Sequence, residues 1–191
     1  PVPELKLDSD EAYAEAFLAI LDAKPRALLI GHDLRPSSPA IAQACHAAAA
    51  RLGIATVNAG VLPTPALAYA AEKLGCPAIM VTGSHIPFDR NGLKFYVPDG
   101  EVSKADEAAI LAQLGRHRAV PATQGPVETV TNTAVRYVSR YARAFGPAAL
   151  AGLKIGVYQH SSVARDILCQ AVSALGGTPL PLARSDVFIP V

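Results

Sequence analysis

Residues 81–96 read VTGSHIPFDRNGLKFY and set a hydroxyl, an imidazole and an ammonium close together as Ser84, His85 and Lys94. They follow an apolar, strand-like run, PAIMV. Gly83 lets the backbone turn tightly or approach a ligand, and Pro87 limits the loop's freedom. Asn91-Gly92 is a tight-turn signal that would bring Lys94 back toward Ser84. A Ser-His hydrolase is excluded on two counts. Adjacent residues of an extended segment point their side chains apart, and the G-x-S-x-G elbow is absent. A Walker-type phosphate loop is absent too. Phosphoryl transfer fits better. A phosphorylated Ser84 would hold about −1.5 to −2 charges, Lys94 would offset part of that, and His85, with an unperturbed pKa of about 6.5, could move a proton on or off an acceptor hydroxyl.

A second polar stretch, GHDLRPSS (31–38), ends the first strand-like run. Arg35 shares the carboxyl edge with Ser84, and its planar fork suits phosphate; it serves equally as a clamp on its own loop. Asp33 would orient Arg35 or cap the turn. The plainer readings are a loop histidine bonded to backbone for His85 and a solvated edge-strand charge for Lys94. Ser37 and Ser38 read as helix caps. Arg136, Arg140 and Arg143 read as a solvated helix face. His32, His46, His117 and His160 show no metal-ligand spacing, and His160-Ser161-Ser162, at a strand end, either touches ligand or caps the next helix.

What must position these residues is an alternation of short buried strands and amphipathic helices. RALLIG (26–31), IATVNA (54–59) and PAIMVT (77–82) are continuous apolar runs of the kind parallel strands show. Between them lie two helices, one capped by Ser38 and ended by Gly53, the other punctuated by Thr64, Pro65 and Gly75. An earlier helix, capped near Ser9, turns Ala16, Phe17, Ile20 and Leu21 inward. LKFYV (93–97) predicts a strand returning beside its predecessor, followed by a helix from Ser103 to Leu114, a Pro/Gly-bearing connection with one short strand at its end, and a helix over 132–145 burying Val138, Tyr141 and Phe145. GPAALAG (146–152) marks a boundary. LKIGVYQH, the helix SSVARDILCQAVSALGG with Val163, Ile167, Leu168, Val172 and Leu175 inward, and TPLPLA then open a second β-α-β unit. The expected fold is α/β: a three-layer αβα domain over 1–146 with a mostly parallel mixed sheet, then the start of a second, similar domain over 147–191, too short to close a core alone.

Composition narrows the function. The chain has 191 residues, 51% hydrophobic, 17% charged, with net charge +1. No basic block can neutralise a row of phosphates, which argues against a nucleic-acid surface. The three cysteines, Cys45, Cys76 and Cys169, read as reduced core residues. No apolar run reaches the roughly 20 residues that cross a bilayer, and the N-terminus lacks the basic start and apolar core of a signal peptide. The expected compartment is the cytoplasm.

TGSHIP followed by NGLK resembles the active-site serine loop of the α-D-phosphohexomutases, T-A/G-S-H-N/I-P with N-G-x-K after it. GHDLRPSS resembles that family's G-x-D-x-R-x-S segment, and KIGVYQHSSVARDIL the opening of its second domain. Phosphomannomutase-like members fit best; phosphoglucosamine mutase is an alternative within the class. The resemblance implies that Ser84 is a phosphoserine whose phosphate also ligates Mg²⁺, and that His85 and Lys94 assist proton transfer and hold charge. It implies phosphate transfer between O1 and O6 of a hexose phosphate, mannose or glucose, through a hexose 1,6-bisphosphate that turns over between half-reactions. Ile86 stands where Asn is common. The family's N-terminal F-G-T-S-G-x-R-G segment is expected before Pro1, and its D-G-D-x-D-R metal loop and sugar-reading loops beyond Val191, so the chain alone should be inactive. The rival class is a non-catalytic phosphosugar-binding or regulatory module of the same fold.

Overall fold

A computed structural model describes residues 7–87, 89–116, 127–130 and 132–189. The chain runs α1 (Leu7–Ala19), β1 (Ala27–His32), α2 (Ser38–Arg51), β2 (Ala55–Val61), α3 (Thr64–Leu74), β3 (Ala78–Val81), β4 (Leu93–Val97), β5 (Gly100–Glu101), α4 (Lys104–Gln113), β6 (Val127–Thr129), α5 (Thr133–Phe145), β7 (Lys154–His160), α6 (Arg165–Ala174) and β8 (Thr178–Arg184). Most of the Pro/Gly-bearing connection, 117–126, lies outside the described residues.

Strand alternation explains the layers. In β1, Leu28 and Ile30 face one way and Leu29 the other; in β3, Ile79 and Val81 oppose Ala78 and Met80. The first set packs with Phe17 of α1, Ile41, Cys45 and Ala48 of α2, and Ile110 of α4. The second packs with Leu67 of α3 and with Tyr137 and Val138 of α5. Between these helix layers lies a six-stranded sheet in the order β5-β4-β3-β1-β2-β6. β1 pairs in parallel with β2 and β3, and β6 in parallel with β2, while β4 is antiparallel to β3 and β5 to β4. The expected α/β fold, mixed and mostly parallel, is what the chain adopts. A separate parallel pair, β7-β8, buries Val157 on the α6 side, where Ile167 is buried too.

The topology chooses where a site can form. From β1 the chain goes through α2 to β2 on one flank, then returns through α3 to β3 on the other. The loops leaving β1 and β3 therefore diverge at the topological switch point, where open α/β sheets hold ligands.

Several local expectations are corrected. Ser9 lies inside α1, which starts at Leu7. Helix α2 has Ser37 at its N-cap with no side-chain cap bond, because Ser38 is fully buried and gives its hydroxyl to Asp33. Asn91-Gly92 makes no hairpin turn: a long loop joins β3 to β4, and Gly92 already accepts from the Thr82 amide at 3.0 Å. Phe145 is 68% exposed and Leu168 48% exposed, Leu168 being turned away from the side on which Ile167 is buried. Arg140 stacks over Tyr69, 5.1 Å from the ring centroid, and Arg143 bonds the Tyr69 hydroxyl at 3.4 Å, so that face is more than solvated charge. Cys45 is buried, but Cys76 and Cys169 are only half-buried; all three are free. The capping box at Ser103, by contrast, is complete with Asp106.

Two stability predictions come from this packing. Phe17 is fully buried and stacks on Phe95 with centroids 4.8 Å apart. Phe17→Ala should cost about 3–5 kcal/mol of unfolding free energy in denaturant titration. Asp10 is 1% exposed, its Oδ1 lacks a hydrogen-bond partner among the described residues, and burial pushes its pKa up to about 6. Because the folded value lies above the unfolded one of about 3.9, the folded state holds that proton more tightly. Its contribution is full below about pH 4 and lost as pH rises through about 6. Asp10→Asn should flatten this fall when unfolding is measured from pH 4 to 7.

Candidate active site

The loop leaving β3 is built around Arg35, and Arg35 is 2% exposed. Its Nη1 donates to the carbonyls of Pro87 (2.6 Å) and Arg90 (2.8 Å), and its Nη2 to those of Ser84 (3.2 Å) and Ile86 (2.8 Å). Four terminal N–H bonds thus meet four backbone acceptors, the full complement of the fork. The remaining donor, Nε, stands 3.5 Å from Asp33 Oδ2. Arg35 therefore holds the loop with all four of its terminal N–H groups, while Nε, buried beside Asp33, makes no hydrogen bond among the described residues. Of the two roles open to Arg35 in the sequence, the clamp is the one its contacts show.

Gly83 is explained by the same group. A Cβ there would come 2.2 Å from Arg35 Cζ, so a side chain and the guanidinium cannot coexist. Asp33 completes the node, accepting from the Arg35 amide at 3.0 Å, the Gly83 amide at 3.3 Å and the Ser38 hydroxyl. Asn91 links the far end of the loop to α2 by donating to Ser37 Oγ (3.0 Å) and Ser38 Oγ (2.8 Å). It acts through its amide and not as half of a turn.

Ser84 sits at φ +48°, in the left-handed region. For a non-glycine residue this conformation costs on the order of 1–3 kcal/mol and persists only where surroundings impose it. They do: the Ser84 amide donates to Thr82 Oγ1 at 3.1 Å and its carbonyl is held by Arg35. The bend overturns the expectation that neighbouring side chains diverge, since Ser84 Oγ and His85 Nδ1 lie 3.3 Å apart. Both residues are exposed. An imidazole is therefore placed to exchange a proton at the serine oxygen or at a group bound there.

Lys94 pairs with Met80 across β3 and β4 and lies on the Tyr96 side of the sheet, with Nζ 3.4 Å from Glu101. β4 starts level with Val81, the last residue of β3.

A cavity of about 300 Å³ opens beside Ser84, lined on one side by Asp33, Leu34, Arg35 and Thr82 and on the other by His160–Val163, Phe188 and Ile189. The strand end at His160 was visible in the sequence, but Phe188 carried no signal at all. Neither serine caps α6, whose N-cap is Ala164 without a side-chain cap bond: Ser162 Oγ accepts from the Ala164 amide at 3.1 Å in the turn before the helix, and Ser161 Oγ accepts from the Ile189 amide at 3.0 Å.

A family model described as phosphoglucomutase/phosphomannomutase, alpha/beta/alpha domain I, matches residues 3–120. The chain belongs to that family. It is 47% identical over 190 residues to a phosphomannomutase of Sinorhizobium fredii, covering 94% of this chain and 40% of that protein. It is 51% identical over 162 residues to a phosphomannomutase of Salmonella muenchen, covering 83% and 33%. A solved phosphoglucomutase/phosphomannomutase family protein of Burkholderia thailandensis shares the fold at TM-score 0.77 and 24% identity over 93% of this chain and 40% of its own. The chain thus spans well under half the length of these phosphohexomutase relatives.

A metal centre is not assembled by the described residues alone. No three His, Cys, Asp or Glu side chains gather among them. Asp33, the carboxylate beside the cavity, is already engaged with Arg35, Ser38 and Gly83.

The clamp makes a sharp prediction. Asp33→Ala leaves a buried guanidinium without its counter-charge and should cost about 3–5 kcal/mol. Gly83→Ala must expel Arg35 and should free the loop amides for hydrogen exchange; a variant with loop protection unchanged would contradict the packing described.

Proposed function

We propose that Ser84 is the phosphate carrier of a phosphohexomutase, moving phosphate between O1 and O6 of mannose or glucose phosphate. One observation carries this reading: an exposed hydroxyl held in a left-handed bend at the sheet's switch point, facing a cavity, with an imidazole 3.3 Å away. In the forward half-reaction the phosphorus–oxygen bond to Ser84 breaks and one to the sugar hydroxyl forms. His85 would take the proton that the sugar hydroxyl loses. The resulting hexose 1,6-bisphosphate turns over, and its other phosphate returns to Ser84 while a proton goes back to the vacated sugar oxygen. Pre-set groups and fixed geometry would supply most of the rate gain.

Magnesium, when bound, would neutralise charge on the transferring phosphoryl group. From the described residues, phosphorylated Ser84 would contribute one ligand through its phosphate, and the others would have to come from elsewhere. Lys94 would contribute positive charge from β4 after leaving Glu101, an exposed pairing of little strength. Residues 1–146 would form the phosphoserine domain and 147–191 the opening of a second. Among the described residues no helix is long and apolar enough to cross a membrane, and we place the protein in the cytoplasm with a phosphosugar as its partner.

In the full-length protein, Ser84→Ala should abolish mutase turnover while leaving the fold intact, and phosphopeptide mapping should find phosphate on Ser84 of the wild type. Normal turnover in the variant would end the assignment. An unphosphorylated Ser84 with phosphosugar binding but no turnover would instead make this a binding module. Lys94→Met should slow turnover by roughly 10²–10³-fold; a wild-type rate would leave Lys94 as a surface partner of Glu101.

A further inference from the structure

We propose that Phe188 is a positioning residue for the serine loop, through which the β7-β8 unit controls how firmly Arg35 holds Ser84. The functional consequence rests on the reading of Ser84 as the reacting group; the structural coupling does not. Phe188 belongs to the segment that follows β8, and that segment is tied to the second unit on both sides. Arg165, which opens α6, donates to the Ser185 carbonyl at 2.5 Å and pairs with Asp186 at 3.0 Å. The Ile189 amide donates to Ser161 Oγ at 3.0 Å. From these anchors the aromatic ring reaches the other unit, with Arg35 Cζ 5.0 Å from its centroid.

The terminal N–H groups of Arg35 all go to carbonyls of Ser84, Ile86, Pro87 and Arg90, and Nε is turned to Asp33. A ring set against the guanidinium face leaves these edge contacts undisturbed. The attraction between a cation and an aromatic face grows when water is excluded, and Arg35 is 2% exposed. With Phe188 removed, water gains access to the guanidinium and competes with the loop carbonyls for its protons. Displacing the second unit would have the same effect, so its position and the order of the serine loop are coupled.

The test is hydrogen exchange in the intact protein, read at the Ile86 and Arg90 amides, which bond the Gly83 and Pro87 carbonyls at 2.9 and 3.0 Å. Phe188→Ala should speed exchange at both by roughly tenfold, the order of a desolvated cation–aromatic contact, while amides of β1 and β3 keep their protection. Phe188→Tyr should restore slow exchange; Phe188→Leu, which keeps apolar cover without an aromatic face, should not. Unchanged loop exchange in the Leu variant, or equal protection in the Leu and Tyr variants, would overturn the proposal. If Ser84 is the phosphate carrier, the Leu variant should also lower kcat with little change in KM. Faster loop exchange with no turnover in any form would leave the coupling standing and remove the mutase reading.

Discussion

A buried guanidinium is the constraint on which this site depends. Taking the Arg35 charge out of water is costly unless it is paired and its protons are satisfied. The molecule supplies the counter-charge with Asp33 and satisfies the four terminal N–H groups with carbonyls of one loop, leaving Nε beside Asp33 without a hydrogen bond among the described residues. The loop is held by its backbone, so its side chains remain free to face outward. That is why Ser84 and His85 can be exposed and still have one defined geometry. It is also why the position before Ser84 must be glycine, since the volume of a Cβ is already occupied by the guanidinium.

The same clamp imposes the backbone conformation that the proposed chemistry uses. Left-handed φ at Ser84 is unfavourable in isolation, yet it brings the hydroxyl and the imidazole to the same side of the chain. A second left-handed residue, His160 at φ +53°, ends β7 across the cavity, with its ring nitrogen 3.1 Å from Ser161 Oγ. Two strand ends from two sheets therefore meet the cavity with bent backbones and polar tips. Stability comes from elsewhere, from the apolar layers packed on the two faces of the large sheet. Cys45 belongs to that support: burial, then the nearby Asp10 charge, pushes its thiol up to about 12, so it acts as a small core residue.

Much of this was legible before any coordinates. The strands β1, β2 and β3 announce themselves as short apolar runs because they are buried on both faces, and Ser103 with Asp106 marks a helix start by local hydrogen bonding. The TGSHIP stretch already named Ser84 and His85 as the residues to watch. The errors were of one kind. Asn91-Gly92 reads as a hairpin turn, yet Asn91 is drawn to Ser37 and Ser38 on α2, residues far away in the chain. Phe145 and Leu168 follow helical periodicity, but periodicity does not say which side a neighbouring layer covers.

What the sequence by itself determined is local: which segments bury both faces, where helices begin, and which residue types stand at the strand ends. Those properties follow from side-chain chemistry and the periods of helix and strand. What only the tertiary structure decided is partnership. Arg35 could equally grip a phosphate or a loop until four carbonyls from another strand's exit were found on its edge. Phe188 was an ordinary apolar residue until the chain placed its ring against a guanidinium more than a hundred and fifty positions earlier. Such contacts join residues remote in the chain, and only the complete fold sets which of them meet.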